Sequence, residues 1–160
     1  MESRGAVRPR GAEVRVIAVE RTFIDTNILI YAHDIEAGER HRIARDVLTD
    51  LWRRGVGLLS TQVLQEFYNV ATRKLTPRMS PAKARRVIAT YSEWCARDTD
   101  PLVIMNASFL AETHTVSWWD ALIIEAASRS GAKYILSEDL QHGRSFLGLE
   151  VRNPFLEPAG

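Results

Sequence analysis

Apolar and polar positions along this chain follow two periods, one suited to strands and one to helices. Arg21-Thr-Phe-Ile-Asp25 is a short β-rich run that closes on a turn-forming Asp, the pattern of a buried strand. A short helix over Asn27 to about Ala32 follows. Ile43, Ala44, Val47, Leu48, Leu51 and Trp52 then recur at i, i+1, i+4, i+5, i+8 and i+9, which predicts an amphipathic helix with Arg40, Arg42, Arg45 and Arg53 on its other faces. Gly55 stands where a helix C-terminus favours glycine. Val56 to Leu59 predicts a second strand. Ser60 caps a helix whose core stripe is Val63, Phe67, Val70 and Ala71.

Thr76-Pro77 ends that region, and Ser80-Pro81 opens a further helix with proline at its first position. Its stripe is Ala84, Val87, Ile88, Tyr91, Trp94 and Cys95. Leu102-Val-Ile104 reads as a third strand and Asn106 to about His114 as a short helix. Ser117 begins another helix, apolar almost all round from Ala121 to Ala127 and therefore buried on most sides. Lys133-Tyr-Ile-Leu136 reads as a fourth strand and Leu149-Glu-Val151 as a fifth. Strands alternating with helices predict an α/β fold, a three-layer α/β/α sandwich around a mainly parallel sheet of four to five strands.

Composition narrows this picture. A chain of 160 residues, 46% hydrophobic, is expected to form one domain over residues 19–160. Residues 1–18, with Arg, Gly and Pro and little apolar pattern, read as a disordered N-terminal extension. The single cysteine, Cys95, excludes an internal disulfide and a multi-cysteine zinc site, and fits a reduced cytoplasmic protein. No apolar run approaches the roughly 20 residues needed to cross a bilayer. The net charge of +1 excludes a strongly basic nucleic-acid coat protein, so any nucleic-acid contact must come from local basic patches.

Candidate chemistry lies in four acids. Asp25 closes the first strand and Asp139 lies just past the fourth, and ligand sites of open parallel sheets lie beyond the carboxyl ends of the strands. Asp120 opens the buried helix. Glu66 lies on the flank of the Val63/Phe67/Val70 stripe, together with Gln62, Asn69 and Arg73. Singly, each has an ordinary reading: Asp25 a turn former, Asp120 the third residue of a Ser117 capping box, Glu66 a solvated helix residue, Asp139 a loop acid. Jointly they form a carboxylate set, and like charges held close need a cation. Oxygen ligands without a Cys/His set suit Mg²⁺ or Mn²⁺, and such ions assist phosphodiester hydrolysis.

These residues resemble the PIN-domain nucleases. Thr22-Phe-Ile-Asp25-Thr26-Asn27-Ile28-Leu29-Ile30-Tyr31-Ala32 resembles the family's opening strand and turn. Gln65-Glu66-Phe67-Tyr68 is similar to its second acidic position, Trp118-Trp119-Asp120-Ala121-Leu122-Ile123 to its third, and Leu136-Ser137-Glu138-Asp139-Leu140-Gln141-His142-Gly143 to its fourth. The similarity spans roughly residues 20–155, and Val151-Arg-Asn-Pro-Phe155 resembles the ending of toxin-type members of the VapC kind.

The resemblance implies that Asp25, Glu66, Asp120 and Asp139 hold one or two Mg²⁺ or Mn²⁺ ions and that Asn27 and Ser137 support them. It implies an endoribonuclease that hydrolyses RNA through a metal-activated water. Asp139 is preferred to Glu138 because it stands two residues after the Ser137 hydroxyl. A cognate antitoxin and a homodimer are implied partners. An RNA-processing nuclease without a toxin role, and an inactive PIN-like module that only binds RNA or protein, are the alternatives.

Other features carry less. Arg73, with Lys74 beside it, is the best candidate for a phosphate contact because it shares the flank of Glu66. Trp52 and Trp94 lie on apolar stripes and read as core, and Trp118 and Trp119 as core or dimer interface. His33, His41, His114 and His142 share no metal-site spacing. Gly55-Val-Gly57 is half of a dinucleotide fingerprint, but Ser60 replaces its third glycine. An aspartyl phosphatase would want an Asp where Asn27 stands.

Overall fold

The computed structural model describes residues 20–95 and 100–156, so the expected extension over residues 1–18 lies outside them. Five strands form one sheet: β1 (Thr22–Ile24), β2 (Gly57–Leu58), β3 (Tyr134–Leu136), β4 (Ser145–Phe146) and β5 (Leu149–Arg152). Their order is β2-β1-β3-β5-β4. The first four in that order run parallel, with Thr22 against Gly57 and Tyr134, and Tyr134 against Glu150. Only β4 runs antiparallel, against β5.

Among the described residues, six α-helices surround the sheet: α1 (Thr26–His33), α2 (Glu39–Arg54), α3 (Thr61–Arg73), α4 (Pro81–Tyr91), α5 (Pro101–His114) and α6 (Trp118–Arg129). Successive strand residues point to opposite faces. Every residue of β1 and β3 is buried, so both faces are covered and the fold is three-layered. Helix α1 packs on α2 and α3, α3 on α4, and α5 on α6. The core holds Phe23, Ile24, Phe67, Ile124, Ile135 and Phe146 with almost no exposure.

Local chemistry explains most of the boundaries. Gly55 ends α2 in the left-handed region at φ 66°, and its N–H closes on Leu51 and Trp52 carbonyls. Ser80 Oγ accepts the N–H of Lys83 ahead of Pro81, and Ser117 Oγ accepts that of Asp120. Ser60 takes the N-cap position of α3, but its hydroxyl makes no capping bond and meets no partner among the described residues. Gly57 allows the close approach of Trp94, whose ring packs against Trp52 and Tyr91.

One predicted element is overturned. Leu102-Val-Ile104 is not a strand but the first turn of α5, and the expected helix over Asn106–His114 is the same helix continued. Asp100 caps it by accepting the N–H groups of Leu102 and Val103, and Pro101 takes the first helical position. The β-rich triplet yielded to this Asp-Pro start signal. The actual additional strand is β4, which turns into β5 through Leu147 and Gly148, at φ 50° and 83°.

Candidate active site

The parallel strands deliver their chain ends to one edge of the sheet. Asp25 follows β1 and is the N-cap of α1, with its N–H bonded to the Leu136 carbonyl of β3. Its carboxylate is buried. Oδ1 accepts the Thr26 N–H at 2.7 Å and Oδ2 accepts the Ser137 hydroxyl at 2.8 Å. Ser137 is fully buried and is fixed in turn by the Arg152 carbonyl, which accepts its N–H.

Glu66 reaches the same place from α3. Val63, Phe67 and Ala71 bury the helix face, which leaves Glu66 half-buried on its flank. Thr26 Oγ1 donates to Glu66 Oε2 at 2.6 Å, and Gln62 Nε2 donates to Oε1 at 2.9 Å. Thr26 therefore touches two of the four acids, through its N–H to Asp25 and through its hydroxyl to Glu66. Asp139, past the end of β3, accepts from Asn27 Nδ2 at 2.7 Å. Asp120 lies in the first turn of α6, half-buried.

Electrostatics link these groups. Burial, first of all, pushes the Asp25 carboxyl up to about 6 from its ordinary 3.8. The hydrogen bonds from Ser137 and Thr26 counter part of that, while the charges of Asp139 and Glu66 add to it. Asp139 is also raised, by partial burial and by the charges of Asp120, Glu138 and Glu66, with Asn27 acting against them. Asp139 thus feels the charges of Asp120 and Glu66, and Asp25 those of Asp139 and Glu66, which links the four acids in one field. None of the four forms an ion pair among the described residues.

Glu138 behaves differently. Its partial burial raises the carboxyl, but Arg40 and Tyr31 outweigh this and hold it below its usual range. It pairs with Arg40 and so is neutralised, which favours Asp139 as the acid that faces the others.

The donor set is all oxygen and carries unbalanced negative charge, which suits a hard divalent cation. Among the described residues, no three of His, Cys, Asp and Glu stand as placed at a spacing that would hold a metal ion. Each of Asp25, Glu66 and Asp139 is instead turned onto a protein donor. The set fits the cation by its oxygen chemistry and negative charge.

The basic residues sort themselves. On α2, Arg42 pairs with Glu39 and Asp46, and Arg53 and Arg54 pair with Asp50. Arg73 and Lys74, at the end of α3, are exposed and form no ion pair among the described residues. Trp94 is buried as expected, whereas Trp118 and Trp119 are exposed rather than core. Sequence reasoning missed the structural parts of Thr26, Gln62 and Arg40. Gln62 had a legible signal, since it lies four residues before Glu66 on the same helix flank.

A similarity search finds the fold in "VapBC2 from Rickettsia felis bound to a DNA fragment from their promoter", at 14% identity and a TM-score of 0.54, covering 82% of this chain and 97% of that one. That likeness shows the fold. No curated protein matches. The family model described as PIN domain matches residues 22–144, from the first residue of β1 to just past the Asp139 turn. That span takes in all four acids and most of the chain, and the chain belongs to the PIN-domain family, a family of nucleases.

Proposed function

We propose that this protein is a Mg²⁺- or Mn²⁺-dependent endoribonuclease, the toxin of a toxin–antitoxin pair, acting in the cytoplasm. The observation that carries the reading is the shared field of Asp25 and Asp139, which follow parallel strands, with Glu66 and Asp120 from two helices, no cationic side chain being paired to any of them among the described residues.

These four residues would hold the divalent ion, directly or through water. When bound, the ion supplies positive charge for a phosphate and lowers the pKa of water. The protein's own groups do the orienting. Ser137 and the Thr26 N–H aim Asp25, the Thr26 hydroxyl and Gln62 aim Glu66, and Asn27 aims Asp139. Arg73 and Lys74 are the candidate phosphate contacts. Preference for RNA is supported by the motif resemblance across the four acidic blocks.

The antitoxin partner is supported by the likeness to VapBC2, a two-component assembly. A protein partner, antitoxin or second copy, is further supported by α5, which exposes Leu102, Ile104, Met105 and Phe109, with Ile104 lining one cleft together with Trp119. We read the protein as a homodimer on the same ground.

The test is cleavage of a mixed pool of structured and single-stranded RNA with Mg²⁺, with Mn²⁺ and with a chelator, beside a folded Asp25→Asn variant. Metal-dependent cleavage that the variant lacks supports the reading. Equal cleavage by the variant removes Asp25 from the site. Absence of both cleavage and Mn²⁺ binding by calorimetry leaves a binding module instead.

A further inference from the structure

Resting on that carboxylate-site reading, we propose that Arg40 is a positioning residue. By clasping Glu138 it keeps a fifth carboxylate out of the cluster and leaves Asp139 as the acid that the turn after β3 presents.

Glu138 and Asp139 are neighbours, so this turn offers two carboxylates to one site. Of the two, Asp139 feels the charges of Asp120 and Glu66, and Glu138 does not. Asp139 donates its backbone N–H to Ser137 Oγ at 3.2 Å and accepts from Asn27 at 2.7 Å. Glu138 is held by other partners: Arg40 Nε and Nη2 both donate to its Oε1, at 2.8 and 2.6 Å, and Tyr31, on which Arg40 stacks, lies against the same carboxylate.

Arg40 is itself held in place. Its guanidinium carbon lies 5.9 Å from the ring centre of Tyr31 and 5.6 Å from that of Phe155. Those rings meet edge to face at 5.2 Å. The clasp thus joins α1, the start of α2, the turn after β3 and the C-terminal segment. Of the ion-paired arginines on α2, Arg42, Arg53 and Arg54 bond within the helix, and Arg40 reaches across to another element.

Stability is a poor account of this pair. The Arg40 side chain is 50% exposed, and exposed ion pairs contribute little. A sorting role fits better. A released Glu138 is a fifth oxygen ligand beside Asp139, and a hard divalent cation accepts extra carboxylates readily. Partners that orient a metal site's ligands are commonly worth 10- to 100-fold in affinity or activity.

The experiment compares wild type, Arg40→Gln, Glu138→Gln and the double variant, in metal-dependent RNA cleavage and in Mn²⁺ titration by calorimetry. Arg40→Gln should lower kcat about tenfold with Mn²⁺ affinity unchanged or tighter, since a carboxylate has been freed rather than lost. The double variant should recover most of the lost kcat, because the competing carboxylate is gone. A merely structural clasp predicts weaker Mn²⁺ binding and no recovery in the double variant, and that result overturns the proposal. A raised KM with unchanged kcat makes Arg40 a substrate contact and overturns it as well. Wild-type protein that neither binds Mn²⁺ nor cleaves overturns the carboxylate-site reading and this inference together. Wild-type cleavage matched by Arg40→Gln overturns this inference alone.

Discussion

The Ser137 hydroxyl donates to Oδ2 of Asp25 at 2.8 Å, and Ser137 Oγ itself accepts the N–H groups of Asp139 and Leu140 at 3.2 Å each. One buried hydroxyl therefore sets both the acid that ends β1 and the turn that carries the acid after β3. Ser137→Ala would leave a buried carboxylate oxygen and two backbone donors short of a partner. The expected loss is about 1–3 kcal/mol of stability, read by urea unfolding, with a further rise in the Asp25 pKa. An unchanged urea midpoint would show that water or a rearranged turn replaces the hydroxyl.

Asp25 makes stability depend on pH in an unusual direction. Its carboxyl is raised to about 6 in the folded chain from 3.8. Between those values the folded state binds more protons than the unfolded state, so metal-free stability falls as pH rises. Below pH 3.8 both states are protonated and the penalty is absent; above pH 6 it is complete, at roughly 3 kcal/mol. In chelator at pH 7, Asp25→Asn should thus be more stable than wild type, and the difference should vanish near pH 4. A variant less stable than wild type at pH 7 would contradict the raised pKa.

Gly57 has a packing role that its strand position hides. A Cβ there would sit 2.5 Å from the Trp94 ring, which is wedged against Trp52 and Tyr91. Gly57→Ala should cost about 1–3 kcal/mol by overpacking, measured as a lower urea midpoint with unchanged slope. A neutral result would mean the aromatic cluster shifts freely.

Arg73 offers a test of the nucleic-acid side. It is exposed, stands outside the ion pairs of the described residues, and lies seven residues along α3 from Glu66, about 10 Å along the helix axis. Arg73→Ala should weaken RNA binding and lower the slope of log affinity against log salt by about one. Identical salt titrations for the two proteins would remove Arg73 from the interface.

Much of this was legible in the chain. The period of the apolar positions located α2, α3, α4 and α6, and local caps marked their ends at Gly55, Ser80 and Ser117, because capping depends on neighbouring backbone groups alone. The sequence pattern alone puts Asp25 and Asp139 at strand ends, and the Asp-Thr-Asn and Ser-Glu-Asp blocks carry the family resemblance. Leu102-Val-Ile104 carries β-branched residues that favour a strand, but the Asp100-Pro101 start signal, just as local, makes it the first turn of α5.

Tertiary structure decided what depends on distant partners. Nothing in the sequence brings Ser137 to Asp25 or Thr26 to Glu66, because those contacts arise from β1 pairing with β3 and from α3 packing on α1. The Ser137 spacing of the family pattern favours Asp139 over Glu138, but what holds the two acids apart comes from elsewhere in the fold. Glu138 and Asp139 are equivalent as carboxylates, and they part where Arg40 and Tyr31 take Glu138 and Asn27 takes Asp139. Propensity and capping act over a few residues and can be read along the chain; the pKa of a buried carboxylate and the choice of its partner are set by groups that only folding brings near.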